Sequence, residues 1–285
     1  MSKHENQFSE VNKLLYIDYC KRIDSLNMQM YHYHDSYEIY FMLSGQRNYF
    51  IKDRTYFVIK GDIVLININD LHKTTVSGSH EHERVVINFK KDYLSGITDI
   101  IKDVDVYSCF NQNLNIIRMN LNEQNFIQTL LSKMIEESKK QLQGYETYLK
   151  IMLLELLLFL NRYLENSQPK YFDYPSSMHK KVSEIVKYIN ASYMNNLTLQ
   201  DISEKFFIST CYSSRIFKSI TGFSFIEYLN SIRIKEAQKL LQNSKLNVTE
   251  ISEKVGYESI TNFGRVFKTI TGVSPLKYKK DINSF

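Results

Sequence analysis

The sequence predicts an α+β chain of more than one domain: a small β-sandwich or barrel, a pair of helices, and an all-α segment built from one motif used twice. Three observations predict it. Short runs rich in Tyr, Phe, Ile and Val, broken by turn residues, fill positions 28–92. After residue 121 the apolar spacing changes from alternation to threes and fours. Near the C-terminus, "RIFKSITGFS" at 215–224 returns as "RVFKTITGVS" at 265–274, and a repeat of this kind governs everything read around it.

The 285 residues suit about two domains. The N-terminus "MSKHENQFSE" is polar and reads as no signal peptide. The most apolar run, "YLKIMLLELLLFLNRYL" at 148–164, is interrupted by Lys150 and Glu155 and falls short of the ~20 apolar residues of a membrane span. Three scattered cysteines, Cys20, Cys109 and Cys211, form no disulfide or zinc pattern. A cytoplasmic protein with no membrane partner is the expectation. The net charge of +5 is uneven: residues 178–285 hold 16 Lys and Arg against 9 Asp and Glu, and the first 177 hold 20 against 22. A basic last third points to a polyanion partner for that third alone.

The strand runs are "YEIYFMLSG", "NYFIKD", "TYFVIKGDIVLI" and "RVVINF", with Gly45, "KDR", Gly61-Asp62 and "NIND" as turns. The first 121 residues are expected to form this sheet unit. In 122–143, Phe126, Ile127, Leu130, Leu131, Met134 and Ile135 mark an amphipathic helix, which Gly144 ends. A second helix at 147–165 is apolar on more than one side, so it must bury most of its circumference. One face would cover the strands and another a second subunit, making 122–165 the expected dimerisation element of a homodimer. "ENSQPKYFDYPSS", with two of the three prolines, reads as a linker at 166–177.

From 178 to 285 everything reads as helix. Thr198 with Asp201, then Ser224 with Glu227, form capping boxes, and Ser209 caps the helix between them. Gly222 is placed as that helix's left-handed cap. Asn247 with Glu250, Ser259, Gly272 and Ser274-Pro275 repeat the punctuation. Each unit is thus a short helix, a tight turn and a second helix, the helix-turn-helix arrangement whose second helix reads a DNA groove. Ser213, Ile216, Phe217 and Ile220 share the inward face of the first reading helix, and Phe263, Phe267 and Ile270 that of the second. The outward faces carry Thr210, Cys211, Ser214, Arg215 and Lys218, then Ile260, Thr261, Asn262, Gly264, Arg265 and Lys268. Small polar residues allow close approach, and arginine reaches guanine O6 and N7. The lysines are expected on phosphates. A connecting helix at 224–241 would be about 27 Å long at 1.5 Å per residue. That length lets two readers enter successive major grooves about 34 Å apart on one DNA face.

"LTLQDISEKFFISTCYSSRIFKSITGFSFIEYLNSIRIKEAQKLL" and "VTEISEKVGYESITNFGRVFKTITGVSPLKYKK" together resemble the DNA-binding domain of AraC/XylS-type transcription regulators over roughly 180–280, with a closing G-x-S-P-x-x-Y. The resemblance implies promoter DNA as partner, activation of transcription, and RNA polymerase as a further partner. It places base-reading positions on Cys211, Ser214 and Arg215, then Thr261, Asn262 and Arg265. Three residues depart from the family's pattern: Phe207 where glycine is common, Ser213 for a leucine, and Gly264 for a polar residue. A positive φ at Phe207 would cost about 1–2 kcal/mol.

In "HYHDSYEIYFMLSG", His32, His34 and Glu38 share one parity, so on a strand they face one way, and His72 follows a later turn. These four could hold Zn²⁺, Mn²⁺ or Fe²⁺. The spacing H-x-H-x₃-E-x₆-G resembles the first cupin motif and "GDIVLININDLH" a degenerate second. The resemblance implies a cupin-like barrel that binds a small-molecule effector, with the histidines as pocket walls and no resident cofactor. His32, His34, Glu38, Tyr40, Arg47 and His72 are the candidate effector contacts, with Tyr37 and Tyr49 in the same wall, and aromatic walls suit a sugar. His80 and His82 read as surface loop. Two functions compete: a ligand-responsive transcription regulator, and a metal-dependent cupin enzyme carrying an accessory DNA-binding tail.

Overall fold

The computed structural model describes residues 5–22, 34–78, 81–112, 114–166 and 174–282. The chain divides into two compact units, Met1–Pro175 and Ser176–Phe285, each described by itself.

The first unit is a sheet backed by two helices. Its strands are β1 (Glu5–Asn12), β2 (Leu15–Arg22), β3 (Tyr37–Ile51), β4 (Arg54–Ile59), β5 (Asp62–Ile66), β6 (His72–Val76), β7 (His82–Phe89) and β8 (Ile116–Arg118). The order β1-β2-β7-β3-β5-β8 is antiparallel at each step, and β4 and β6 both pair with the far end of β3. β3 is one strand of 15 residues, where the sequence suggests two strands turning at Gly45. Gly45, with φ +83°, is a bend inside it. A Cβ there would lie 2.4 Å from the Glu81 carbonyl and 2.9 Å from His82 Cα, so only glycine fits this approach of backbone to backbone.

Next to that bend the register against β7 skips one residue, from Met42↔Arg84 to Ser44↔Glu83. A bulge of one residue reverses which parity faces which side. Even positions before it (Tyr40, Met42) and odd positions after it (Tyr49, Ile51) therefore join one cluster, with Val58, Val64, Val86 and Ile116. The opposite face presents Ile17, Ile39, Phe41, Val85 and Ile87 to the helices α1 (Leu121–Lys140) and α2 (Tyr145–Asn166). Asn120 and Glu123 close a capping box on α1, and Gln141 ends it in the left-handed conformation before Gly144 is reached. α2 buries Leu149, Met152, Leu153, Leu156, Leu157, Leu160 and Leu164 in the core cluster that it shares with the sheet and α1.

The second unit holds α3 (Ser177–Ser192), α4 (Leu199–Lys205), α5 (Thr210–Thr221), α6 (Phe225–Asn243), α7 (Val248–Lys254), α8 (Ile260–Thr271) and α9 (Pro275–Ile282). α3 begins inside the segment read as linker, with Ser176 as its cap. The capping boxes at Thr198, Ser224 and Asn247 are formed, Ser209 and Ser259 accept from the third helical N–H, and Gly222 and Gly272 are left-handed. The inward faces pack as the periodicity requires. Phe217 lies against Tyr228, and Tyr257, Phe263, Phe267 and Tyr278 form a chain of ring contacts.

Candidate functional site

The face of the sheet turned away from the helices encloses a cavity of about 420 Å³. β2 contributes Tyr16, Asp18 and Arg22, two or four residues apart, and β7 contributes His82, Arg84, Val86 and Asn88 in strict alternation. β3 contributes Glu38 and Tyr40 before the bulge and Arg47 and Tyr49 after it. Of the candidate effector contacts, His34, Glu38, Tyr40 and Arg47 line this space, and His72 stands behind it, fully buried. His32 lies outside the described residues.

His34 does not sit on a strand: β3 starts at Tyr37. The chain bends at 35–36, and the His34 ring is fixed by its Nδ1–H, which donates to the Ser36 carbonyl at 2.8 Å. His72 is fixed the same way on the Asp70 carbonyl at 2.8 Å. Both Nε2 atoms then face Glu38 Oε2, at 3.2 Å from His34 and 3.7 Å from His72. Tyr49 donates its hydroxyl to Glu38 Oε1 at 2.7 Å. Burial works to raise the Glu38 carboxyl, but the His34 bond, the two imidazoles and Tyr49 outweigh it and hold it down at about 2. Burial likewise works against charge on His34, and the Glu38 carboxylate overcomes it, raising the imidazole above its ordinary value. One ligand atom from each of His34, Glu38 and His72 lies within 4.8 Å of the others. With each Nδ1 proton committed to a carbonyl, a protonated ring turns Nε2–H toward the Glu38 carboxylate and a neutral ring leaves Nε2 as a ligand, so the trio fits a shared proton or a divalent cation.

Two expectations are corrected here. Tyr37 points to the other face, into the core with Phe89, Tyr107 and Phe110, because its parity is opposite to that of Glu38. His82 is not a loop residue. It is 3% exposed, opens β7 and lines the cavity. His80 lies outside the described residues.

In the second unit every candidate DNA contact is exposed: Thr210, Cys211, Ser214, Arg215 and Lys218 on α5, and Thr261, Asn262, Arg265 and Lys268 on α8. Arg265 donates to Asn262 Oδ1 at 3.1 Å, so two of the candidate readers are already joined on one face. Among the described residues neither Arg215 nor Arg265 forms an ion pair. Phe207 has φ +55° in the first turn and Gly256 has φ +89° in the second.

Residues 24–157 match the AraC-like ligand binding domain, and residues 202–281 match the helix-turn-helix domain. The chain belongs to the AraC family of transcription regulators. It is 28% identical to the Msm operon regulatory protein of Streptococcus mutans over 260 residues, covering 88% of this chain and 86% of that one. It is 24% identical to the HTH-type transcriptional activator RhaR of Mannheimia succiniciproducens, covering 87% and 86%. Among solved structures, the C-terminal domain of AraT, a response regulator from Geobacillus stearothermophilus, is 36% identical, covering 37% of this chain and 88% of that one, with a TM-score of 0.36. As an AraC-family regulator, the protein joins a DNA-binding helical unit to a cupin-like ligand-binding unit. No helix among the described residues is long and apolar enough to cross a membrane.

This AraC-family cavity has wall residues that the motifs did not single out, above all Asp18, Arg22 and Arg84. Their signal was present as alternation: polar residues two apart in "YIDYCKR" and "HERVVIN". A polar residue every second position reads first as a solvated strand face, and it takes a closed sheet to turn that face inward.

Proposed function

We propose that this AraC-family regulator is an effector-responsive activator: a small molecule enters the barrel cavity and changes how the two reading helices engage promoter DNA. One observation carries the reading. A single chain combines a cavity walled by charged and aromatic side chains with two capped helix-turn-helix units whose outward faces are small, polar and basic. α6, at 19 residues, is about 28 Å long, a length that suits two successive major grooves. Arg215 with Ser214 and Cys211, and Arg265 with Asn262 and Thr261, are the base readers. Thr210, Lys218 and Lys268 hold the backbone. Activation is supported by the name of the RhaR relative and brings in RNA polymerase as a partner. Tyr40 and Tyr49 in the wall support a sugar-like body for the effector. α1 and α2 join two chains into a homodimer. Footprinting the regulator on DNA upstream of its neighbouring genes, with and without candidate ligands, tests the reading. A protected stretch of two consecutive helical turns per chain supports it, and equal protection of random DNA refutes it.

A second reading, a metal-dependent barrel enzyme with a DNA-binding tail, is favoured by the convergence of His34, Glu38 and His72. Elemental analysis of the purified chain with a turnover screen separates the two: stoichiometric metal together with turnover is required by the enzyme reading alone.

A further inference from the structure

The cavity wall is polarised along the strands, and register fixes how. Glu38 lies opposite Asn88, and four residues further along β3 Met42 lies opposite Arg84. At about 3.3 Å per residue that is about 13 Å. Arg22 pairs with His82, two residues beyond Arg84, and Gly45 pairs with the same residue. Arg47 follows just after the bend and is 2% exposed. Three guanidiniums thus gather at one end of the cavity, where burial first, and then the nearby charges of Arg22 and Arg84, disfavour the charge on Arg47.

Two carboxylates line the same cavity, and both are engaged. Asp18 meets Arg84 at 2.9 Å, and Glu38 is held at the far end by His34 and Tyr49. Among the described lining residues, three guanidiniums thus stand against two carboxylates. Arginine keeps its proton, so guanidiniums that line a cavity offer an entering anion fixed positive charge and hydrogen-bond donors.

We propose that the arginine end binds an acidic group of the effector, so that the regulator senses a small organic anion: a carboxylate or phosphate on a hydroxyl-bearing body of up to disaccharide size. The planar guanidinium matches both anions in bidentate geometry, and Glu38, Ser36 and Asn88 at the other end offer partners for hydroxyls. This inference rests on the reading of the barrel as the effector site.

Calorimetric titration of the full chain with matched probes tests it: glucose, glucuronate and glucose 6-phosphate, and galactose, galacturonate and galactose 6-phosphate. At least one charged probe should bind ten times more tightly than its neutral parent, and the uronate and phosphate arms show which acid is taken. Arg47→Gln should reduce or remove that advantage. Because Arg47 is buried, Arg22→Gln, at the half-buried strand end, is measured beside it, each variant first checked by thermal unfolding. Neutral parents binding as tightly as the acids, no charged probe binding, or a charged preference unaltered in both variants would each overturn the inference. Promoter-DNA anisotropy on the same samples keeps the two readings apart. A neutral ligand that alters DNA binding leaves the effector reading standing and removes the anion. An acid bound through the arginines without effect on DNA does the reverse.

Discussion

At the scale of single residues, the two basic side chains of α8 should behave differently although both are exposed. Arg265 is tied to Asn262 and offers a planar fork to base edges, whereas Lys268 lies one turn on, where a point charge suits a phosphate. Arg265→Ala should cost about 1–3 kcal/mol on the cognate site and narrow the gap to altered sites. Lys268→Ala should weaken all sites alike and reduce the salt slope of binding by about one. Competition binding across a set of operator variants at several salt concentrations distinguishes them, and uniform weakening by Arg265→Ala would contradict its role. In the barrel, Glu38 carries a pH signature. Its carboxyl is lowered from 4.5 to about 2 in the fold, so its contribution to stability is complete above about pH 4.5 and fades as pH falls toward 2. His34 is shifted upward, so its contribution is complete below its ordinary value of 6.5 and fades as pH rises through the folded value. Glu38→Gln should therefore lower the melting temperature by several degrees near neutrality, and the difference from the natural chain should shrink on acidification from pH 5 to pH 3.

At the scale of elements, the two helix-turn-helix turns share a left-handed residue but differ in length, residues 206–209 in the first unit and 255–259 in the second. Phe207 and Gly256 both take positive φ. Phe207 is 93% exposed, so its side chain gains nothing from packing and carries only the backbone cost. Gly256 sits where a Cβ would lie 2.6 Å from the Met194 carbonyl and 2.9 Å from that of Tyr193, next to Arg233, which donates to Tyr193 and Asn195. Phe207→Gly should raise stability by about 1 kcal/mol. Gly256→Ala should lower it by about 2 kcal/mol or more, since a backbone clash adds to the strain. Thermal unfolding of both variants in one buffer gives the comparison, and a neutral Gly256→Ala would show that the turn can shift. The caps of these helices were legible from the repeat, because capping residues act through local geometry, whereas the glycine of the turn was implied by the family resemblance alone. β3 was not legible in the same way. Its bulge depends on how closely β7 approaches Gly45, and nothing within the strand announces it. β1, β2, β6 and β8 were missed as well, and β2 shows a related reason. β2 buries Leu15 and Ile17 on one side and carries Tyr16, Asp18 and Arg22 on the cavity side, so it lacks the run of apolar residues that marks a strand in isolation.

At the scale of the whole molecule, the helical half was readable nearly to the residue, because its repeat supplied its own control. The sheet half was readable as a class, and its cavity along β3: Glu38, Tyr40, Arg47 and Tyr49 were found, whereas Asp18 and Arg22 on β2 and Arg84 on β7 were not. The helix pair belongs between these cases. Its apolar period predicted burial on the sheet, which α2 makes through Leu149, Leu153, Leu156 and Leu160. It also predicted a surplus, and that surplus has a place. Ile151 and Tyr148 are 52% and 46% exposed, and Phe159, half-buried, meets the partly exposed Phe126 of α1 at 4.6 Å between ring centres. At 100° per residue, Tyr148, Ile151, Leu158 and Phe159 fall on the same side of α2. An apolar stripe of that kind, on a regulator whose affinity would gain from a second pair of readers, fits a copy of the same helix across a two-fold axis. Ile151→Asp changes only an exposed position, so each chain should keep its fold and its melting temperature within about 2 °C. A charge on the stripe would have to be buried against its symmetry mate, which is costly without a partner. Sedimentation should then show a dimer for the natural chain and a monomer for the variant. Affinity for a full operator should fall at least tenfold as the second chain is lost, while affinity for a half-site should not change. A variant that remains dimeric, or that weakens both DNAs equally, would move the dimer contact off α2.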